Sequence, residues 1–193
     1  TKDEQWLNQY EQTINQLAKI EPTHTQVRYL SHTLALRRGE AEKASKLLKA
    51  LVNQNPENEY LHFELARAYQ QLKENTLAEQ SYQAALKIVP NHWKGLNQLG
   101  RLYYRTAQYD KAIATYQQLV SLTPKNAFAY TGLSASYYGK GKLESALVYA
   151  KEGNALNPTV RGYSNIGVFH FILGQYQDAI SAYKQAIKLD KND

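Results

Sequence analysis

Five prolines, Pro22, Pro56, Pro90, Pro124 and Pro158, stand at intervals of 34 residues along this chain, and the sequence contains no other. Proline lacks a backbone donor and its ring clashes with the preceding turn, so helix interiors exclude it. A strict proline period therefore fixes where helices stop. The stretch between two stops is long enough for a pair of helices and two short connections. From about Trp93 to Arg105, Leu96, Leu99, Gly100 and Tyr103 recur at helical spacing; from about Tyr109 to Leu122, so do Ala112, Ile113, Tyr116, Leu119 and Val120. Both are amphipathic stripes rather than strand alternation, and the short turn between them predicts an antiparallel pair.

The same residue types return at fixed offsets from each proline. Tyr69, Tyr103 and Tyr137 share one offset, Ala44, Ala78, Ala112 and Ala146 a second, and Tyr82 and Tyr116 a third, where Leu48 and Ala150 stand in the flanking units. A small residue, Ala66, Gly100 or Ser134, occupies a further offset and predicts close approach of the paired helices. On these residues the sequence resembles the tetratricopeptide repeat family, whose 34-residue signature runs through a bulky residue, Leu-Gly, Tyr, Ala, an aromatic residue, Ala and Pro. The resemblance implies an all-α fold, an α-solenoid of tandem antiparallel helix hairpins wound as a right-handed superhelix.

The expected organisation is one array over 1–193: a lone helix at 3–20, then hairpins at 25–56, 59–90, 93–124, 127–158 and 160–190. The fifth hairpin, with Tyr163, Ile166, Gly167, Gly174, Tyr176, Ala179, Tyr183 and Ala186, fits once a residue is dropped after Pro158, and Lys191 replaces its closing proline. The first departs further. Arg28, Ser31, His32 and Ala35 hold its signature positions, while Val27, Leu30 and Leu34 form a better apolar stripe one residue earlier, predicting a rotated helix. In the lone helix Trp6, Leu7, Tyr10, Ile14 and Leu17 read as the second half of a preceding unit. Ile180, Tyr183 and Ile187 are offered outward at the other end, a surface for a further repeat or for oligomerisation. The chain opens Thr1-Lys2-Asp3 without methionine and is expected to be a segment of a longer protein.

Composition narrows the function classes. No apolar run approaches the roughly 20 residues that cross a bilayer, so no membrane span is expected. The absence of cysteine removes disulfides, thiolate metal sites and cysteine nucleophiles and leaves the compartment open. The net charge of +6 is dispersed over the repeats without a basic block, which disfavours nucleic acid.

No catalytic constellation emerges. The histidines, His24, His32, His62, His92 and His170, never pair at i,i+4 and form no His-Glu-x-x-His motif, so no metal or other cofactor is expected. Gly139-Lys140-Gly141-Lys142 sits where a turn between helices belongs, as do Gly39 and Gly174, and lacks the strand context and full motif of a phosphate loop. Carboxylates such as Asp110 and Glu144 open second helices, where the helix dipole favours negative charge. Of the sixteen tyrosines, Tyr69, Tyr82, Tyr103, Tyr109, Tyr116, Tyr130, Tyr137, Tyr163, Tyr176 and Tyr183 fall at repeat positions and are expected in the core. Tyr10, Tyr29, Tyr60, Tyr104, Tyr138 and Tyr149 are left over.

The resemblance implies that first helices line a concave groove. Projected opposite their core stripes, they give ladders of Tyr60, Lys94 and Phe128; of Phe63, Asn97 and Thr131; of Arg67, Arg101 and Ala135; and of Tyr104, Tyr138 and Phe171, with Arg105 one turn beyond Arg101. Arginine with surface aromatics is the composition of interface hot spots. The expected function is a non-catalytic scaffold for protein–protein interaction. A partner's peptide would lie in the groove, an acidic group or C-terminal carboxylate meeting Arg67, Arg101 and Arg105, apolar side chains meeting Phe128, Tyr138 and Phe171. The alternative is a sensory or regulatory segment of a larger bacterial signalling or assembly protein whose catalytic domain lies elsewhere. Relatives that grip chaperone C-termini use a Lys-x-x-x-Asn pair on a first helix. Tyr29 with Thr33, and Phe63 with Arg67, stand there instead.

Overall fold

A computed structural model describes residues 2–21 and 25–190. Pro22, His24 and Lys191, each named above, lie outside the described residues. Eleven helices make up the regular structure of the described residues: α1 Lys2–Ile20, α2 Thr25–Arg37, α3 Ala41–Gln54, α4 Glu59–Gln71, α5 Asn75–Ile88, α6 Trp93–Arg105, α7 Tyr109–Leu122, α8 Ala127–Gly139, α9 Leu143–Leu156, α10 Val160–Ile172 and α11 Tyr176–Asp190. The fold is all-α, a solenoid of helix hairpins. It divides into two compact units, one holding α1–α5 and ending at Pro90, the other holding α6–α11 and starting at Asn91. Within each unit every helix packs on its neighbour in sequence, and in the second unit α6 also touches α8.

One turn design joins the helices of every hairpin. Gly39, Lys73, Ala107, Gly141 and Gly174 all have positive φ, between 56° and 77°. The amide after each bonds back across the turn: Glu40 to Ala35 O, Glu74 to Tyr69 O, Gln108 to Tyr103 O, Lys142 to Tyr137 O and Gln175 to His170 O, at 2.8–2.9 Å. These are Schellman closures, in which a left-handed residue lets the chain satisfy the last carbonyls of the first helix. The carbonyl of each closing residue then accepts from the second helix, for example Ala112 N to Gln108 O at 3.0 Å. The chain thus reverses in three residues, with the last carbonyls of the first helix satisfied across the turn.

The alanine ladder supplies the contact between paired helices. Ala44, Ala78, Ala112 and Ala146 have no solvent exposure. Opposite them the small first-helix residues admit an aromatic ring. A Cβ on Gly100 would stand 2.9 Å from the Tyr116 ring, and one on Gly167 would stand 2.7 Å from Tyr183. Ser134 uses the same position differently, donating to Ala146 O at 2.8 Å.

Two sequence expectations change. Tyr176, expected in the core, is 59% exposed, and Tyr183, placed both among the core tyrosines and on the outward face with Ile180 and Ile187, is 36% exposed with them; both sit on α11, which has no following helix among the described residues to cover them. Helix α2 is not simply rotated: Val27 and Leu34 bury against Ile14 of α1, while His32 and Ala35 are buried as well. Helix α2 therefore satisfies both stripes, since α1 covers the face that the second stripe presents.

Candidate functional site

The first helices of the second unit, α6, α8 and α10, present the most open aromatic surface. Phe128 is 72% exposed and Tyr138 47%, both on α8, with Tyr104 of α6 at 38%. Together with Thr131, Ala135 and residues of α9 and α10 they line a cleft of about 590 Å³. Its wall beyond α8 is built from Asn154, Asn157, Thr159, Arg161, Asn165 and Val168. Local capping sets that wall. Thr159 accepts from Gly162 N at 2.9 Å and so starts α10, while Asn154 accepts from Thr159 N at 3.0 Å. A Cβ on Gly162 would stand 2.1 Å from Asn154 Oδ1, so glycine is required for this closure.

Tyr138 stacks obliquely on Phe169 with ring centroids 5.3 Å apart, which holds one face of its ring and leaves the other open. Tyr104 leans on Tyr109 at 6.0 Å. Arg101 and Arg105 are exposed on the same stripe of α6 as Tyr104. Burial pushes the hydroxyl of Tyr116, beneath this stripe, up to about 12, against the opposing pull of the Arg101 charge. That tyrosine is a neutral packing element. Lys94 lies over the Trp93 ring, 5.5 Å from its centroid, and Asn97 is half-buried.

Not every expected groove residue joins this surface. Phe171 is exposed but packs edge-on against Tyr176 at 5.7 Å and does not line the cleft. Phe63, Tyr60 and Arg67 belong to the first unit. Phe63 was expected to be free of core duties; it is half-buried and meets the fully buried Tyr82 edge-on at 5.3 Å. Arg67 makes two hydrogen bonds, 2.8 and 2.9 Å, to the carboxylate of Glu64, which is itself only 6% exposed. Tyr60 stacks on Tyr29 at 6.3 Å, and Asn58 donates to the Tyr29 hydroxyl at 3.0 Å. Beneath this pair lies His32, fully buried, its Nδ1 without a hydrogen-bond partner and its pKa lowered by burial to about 4.

Arg161 and Val168 were missed by the ladders, although the means to find them was present. The fifth hairpin runs one residue short, so positions equivalent to Phe128 and Ala135 fall 33 residues on, at Arg161 and Val168. Asn154 and Asn157 come from the end of a second helix, which a projection of first helices does not sample. Among the described residues, no cluster of three or more His, Asp or Glu side chains could hold a metal ion, and no helix is long and apolar enough to cross a membrane.

Comparison with known proteins agrees with this architecture. Family models for the tetratricopeptide repeat match residues 33–92, 81–114 and 160–193, and one for the TPR repeat matches 100–141. Hsp70-Hsp90 organizing protein 2 of Arabidopsis thaliana is 27% identical over 105 residues, 54% of this chain and 18% of that protein. Heat shock protein STI1 of Saccharomyces cerevisiae is 36% identical over 99 residues, 50% of this chain and 17% of that protein. The chain thus spans less than a fifth of the length of these relatives. Among solved structures, MamA from Desulfovibrio magneticus RS-1 superposes with a TM-score of 0.80 at 21% identity, covering 87% of this chain and 96% of that one. BtubC from P. vanneervenii superposes with the same score at 16% identity, covering 100% and 92%; likenesses this distant in sequence speak to the fold alone. With family models spread along most of its length, and the hairpins and turns they presuppose all present, the chain belongs to the tetratricopeptide repeat family.

Proposed function

We propose that this chain is a non-catalytic scaffold that holds a peptide segment of a protein partner on the face formed by α6, α8 and α10. The observation that carries this reading is the open aromatic cleft around Phe128 and Tyr138. A 72% exposed phenylalanine leaves apolar surface in water that burial against a partner would remove, at about 25 cal/mol per Å². Aromatic anchors beside arginine are the usual carriers of interface energy. Relatives named as Hsp70-Hsp90 organizing proteins support a partner-holding role. Because the Lys-x-x-x-Asn pair is absent at Tyr29/Thr33 and Phe63/Arg67, a chaperone C-terminus is not the occupant we propose. The sequence expectation of a carboxylate held by arginine stays with Arg101 and Arg105, which are exposed, and not with Arg67, which Glu64 already holds.

The test is affinity capture by the full chain and by Phe128→Ala/Tyr138→Ala. The double variant is expected to weaken capture at least about tenfold, each anchor contributing of order 1–2 kcal/mol, with its melting temperature unchanged. Val148→Ala, on the exposed side of α9, is expected to retain the partner. Equal capture by all three proteins contradicts the reading.

A further inference from the structure

Resting on the reading that the α6, α8 and α10 face holds a peptide, we propose that its occupant is an internal acidic segment: an apolar residue at the centre, flanked on both sides by Asp or Glu. The argument begins with how charge is distributed. Residues 1–90 carry eleven basic and eleven acidic side chains, whereas residues 91–193 carry twelve basic and six acidic, so the whole net charge of +6 resides in the second unit. Within that unit the sorting goes further. Its carboxylates are Asp110, Glu144, Glu152, Asp178, Asp190 and Asp193, and none lies in α6, α8 or α10. The cleft is lined by no carboxylate at all.

The cations on these helices have a definite arrangement. Helix α6 carries Lys94, Arg101 and Arg105, α8 carries no charged residue, and α10 carries Arg161. The register position that places Lys94 on α6 places Phe128 on α8 and, after the one-residue deletion, Arg161 on α10. The surface is therefore an uncharged aromatic floor between two positive rims. Arg101, Arg105 and Arg161 make no ion pair with any described residue. Arg67 of the first unit differs, being held by Glu64.

This spacing selects the form of the ligand. Neighbouring first helices lie about 10 Å apart, so the two rims are separated by about 20 Å, which extended chain covers in about six residues at ~3.3 Å each. A single terminal carboxylate would call for cations converging on one point. Cations on opposite sides of α8 instead match side-chain carboxylates at the two ends of a short segment, with the apolar residue between them meeting Phe128, Tyr138 and Val168. Opposite charge at the rims would steer association and reject basic segments.

The test is selection from a display library of random ten-residue segments embedded between fixed linkers, alongside a second library ending in a free carboxyl, each panned against the full chain. The account predicts enrichment, from the embedded library, of segments with Asp or Glu toward both ends and an aromatic or aliphatic residue centrally. Binding of such segments should fall at least about tenfold on Arg161→Glu and on Arg101→Glu/Arg105→Glu, and weaken as salt rises. Lys151→Glu/Lys184→Glu, which changes net charge equally on α9 and α11, should leave binding within about twofold. Helix content and melting are checked for every variant. Enrichment of neutral or basic segments, enrichment confined to the free-carboxyl library, or equal loss in the Lys151/Lys184 variant overturns the inference while leaving peptide binding intact. No enrichment from either library overturns the peptide-binding reading beneath it.

Discussion

At the scale of single residues the repeat works by exchanging volume between fixed positions, and its exceptions are informative. Gly132 of α8 lies against the Tyr116 ring so closely that an added Cβ would stand 2.3 Å from it, and Tyr116 is only 3% exposed. Gly132→Ala is expected to lower stability by about 1–3 kcal/mol, the usual effect of overpacking, read as a shift of the denaturation midpoint; an unchanged midpoint would mean that the ring has room to move. His32 is the opposite case, a large polar residue at the small-residue position, in the hairpin where Leu48 replaces the tyrosine of its neighbours. Its pKa of about 4, below the usual 6.5, follows mainly from burial, with the Arg67 charge pushing the same way. The unfolded chain binds the proton more readily. Stability should be fully present above about pH 6.5 and decline as pH falls toward 4, losing on the order of 3 kcal/mol in all. His32→Leu removes the titration, so the difference between its pH profile and that of the parent isolates the effect. Parallel profiles for the two proteins would contradict it.

At the scale of elements, the hairpin turn is the most repetitive device in the molecule and the one most legible from sequence. Gly39, Gly141 and Gly174 mark it, and the proline period places it. Lys73 and Ala107 adopt the same left-handed conformation, φ 62° and 56°, without being glycine. Such a conformation costs a residue with a Cβ about 1 kcal/mol. Ala107→Gly should therefore stabilise the chain by about 0.5–1 kcal/mol, and Gly141→Ala should destabilise it by a similar amount. Nothing lies within 4 Å of a Cβ at Gly141, so that change reports backbone conformation alone. Thermal melts of both variants that move in the same direction would contradict this account. Two features were not legible. The dual burial of α2 depends on α1 covering Val27 and Leu34, a tertiary contact that a single helix's pattern does not encode. The exposure of Tyr176 depends on what packs outside α11, whereas the repeat signature describes only what packs within a hairpin.

At the scale of the whole molecule, sequence conveyed the fold and the exposure of several first-helix aromatics. Aromatic exposure at Phe128 and Tyr138 followed from first-helix projection, because side chains opposite the core stripe have nowhere to go but solvent. Pairing did not follow. Arg67 looked equivalent to Arg101 by register, yet Glu64, three residues before it, faces the same way on α4 and neutralises it; α6 has Gln98 at the matching place. The ladders reach the fifth hairpin only at Phe171, although the same one-residue shift places Arg161 at the position of Phe128. The sorting of charge emerged only when the division at Pro90 and the identity of each helix were both known, since in a running count the positive excess looks diffuse. Of these elements, the α6, α8 and α10 face is the part we propose holds a partner. Hydrogen exchange of the full chain, with and without a bound segment recovered by selection, tests this most directly. Protection should appear in α6, α8, α10 and the α9–α10 connection, and not in α7 or α11; protection concentrated on second helices, or in residues 1–90, would contradict the account.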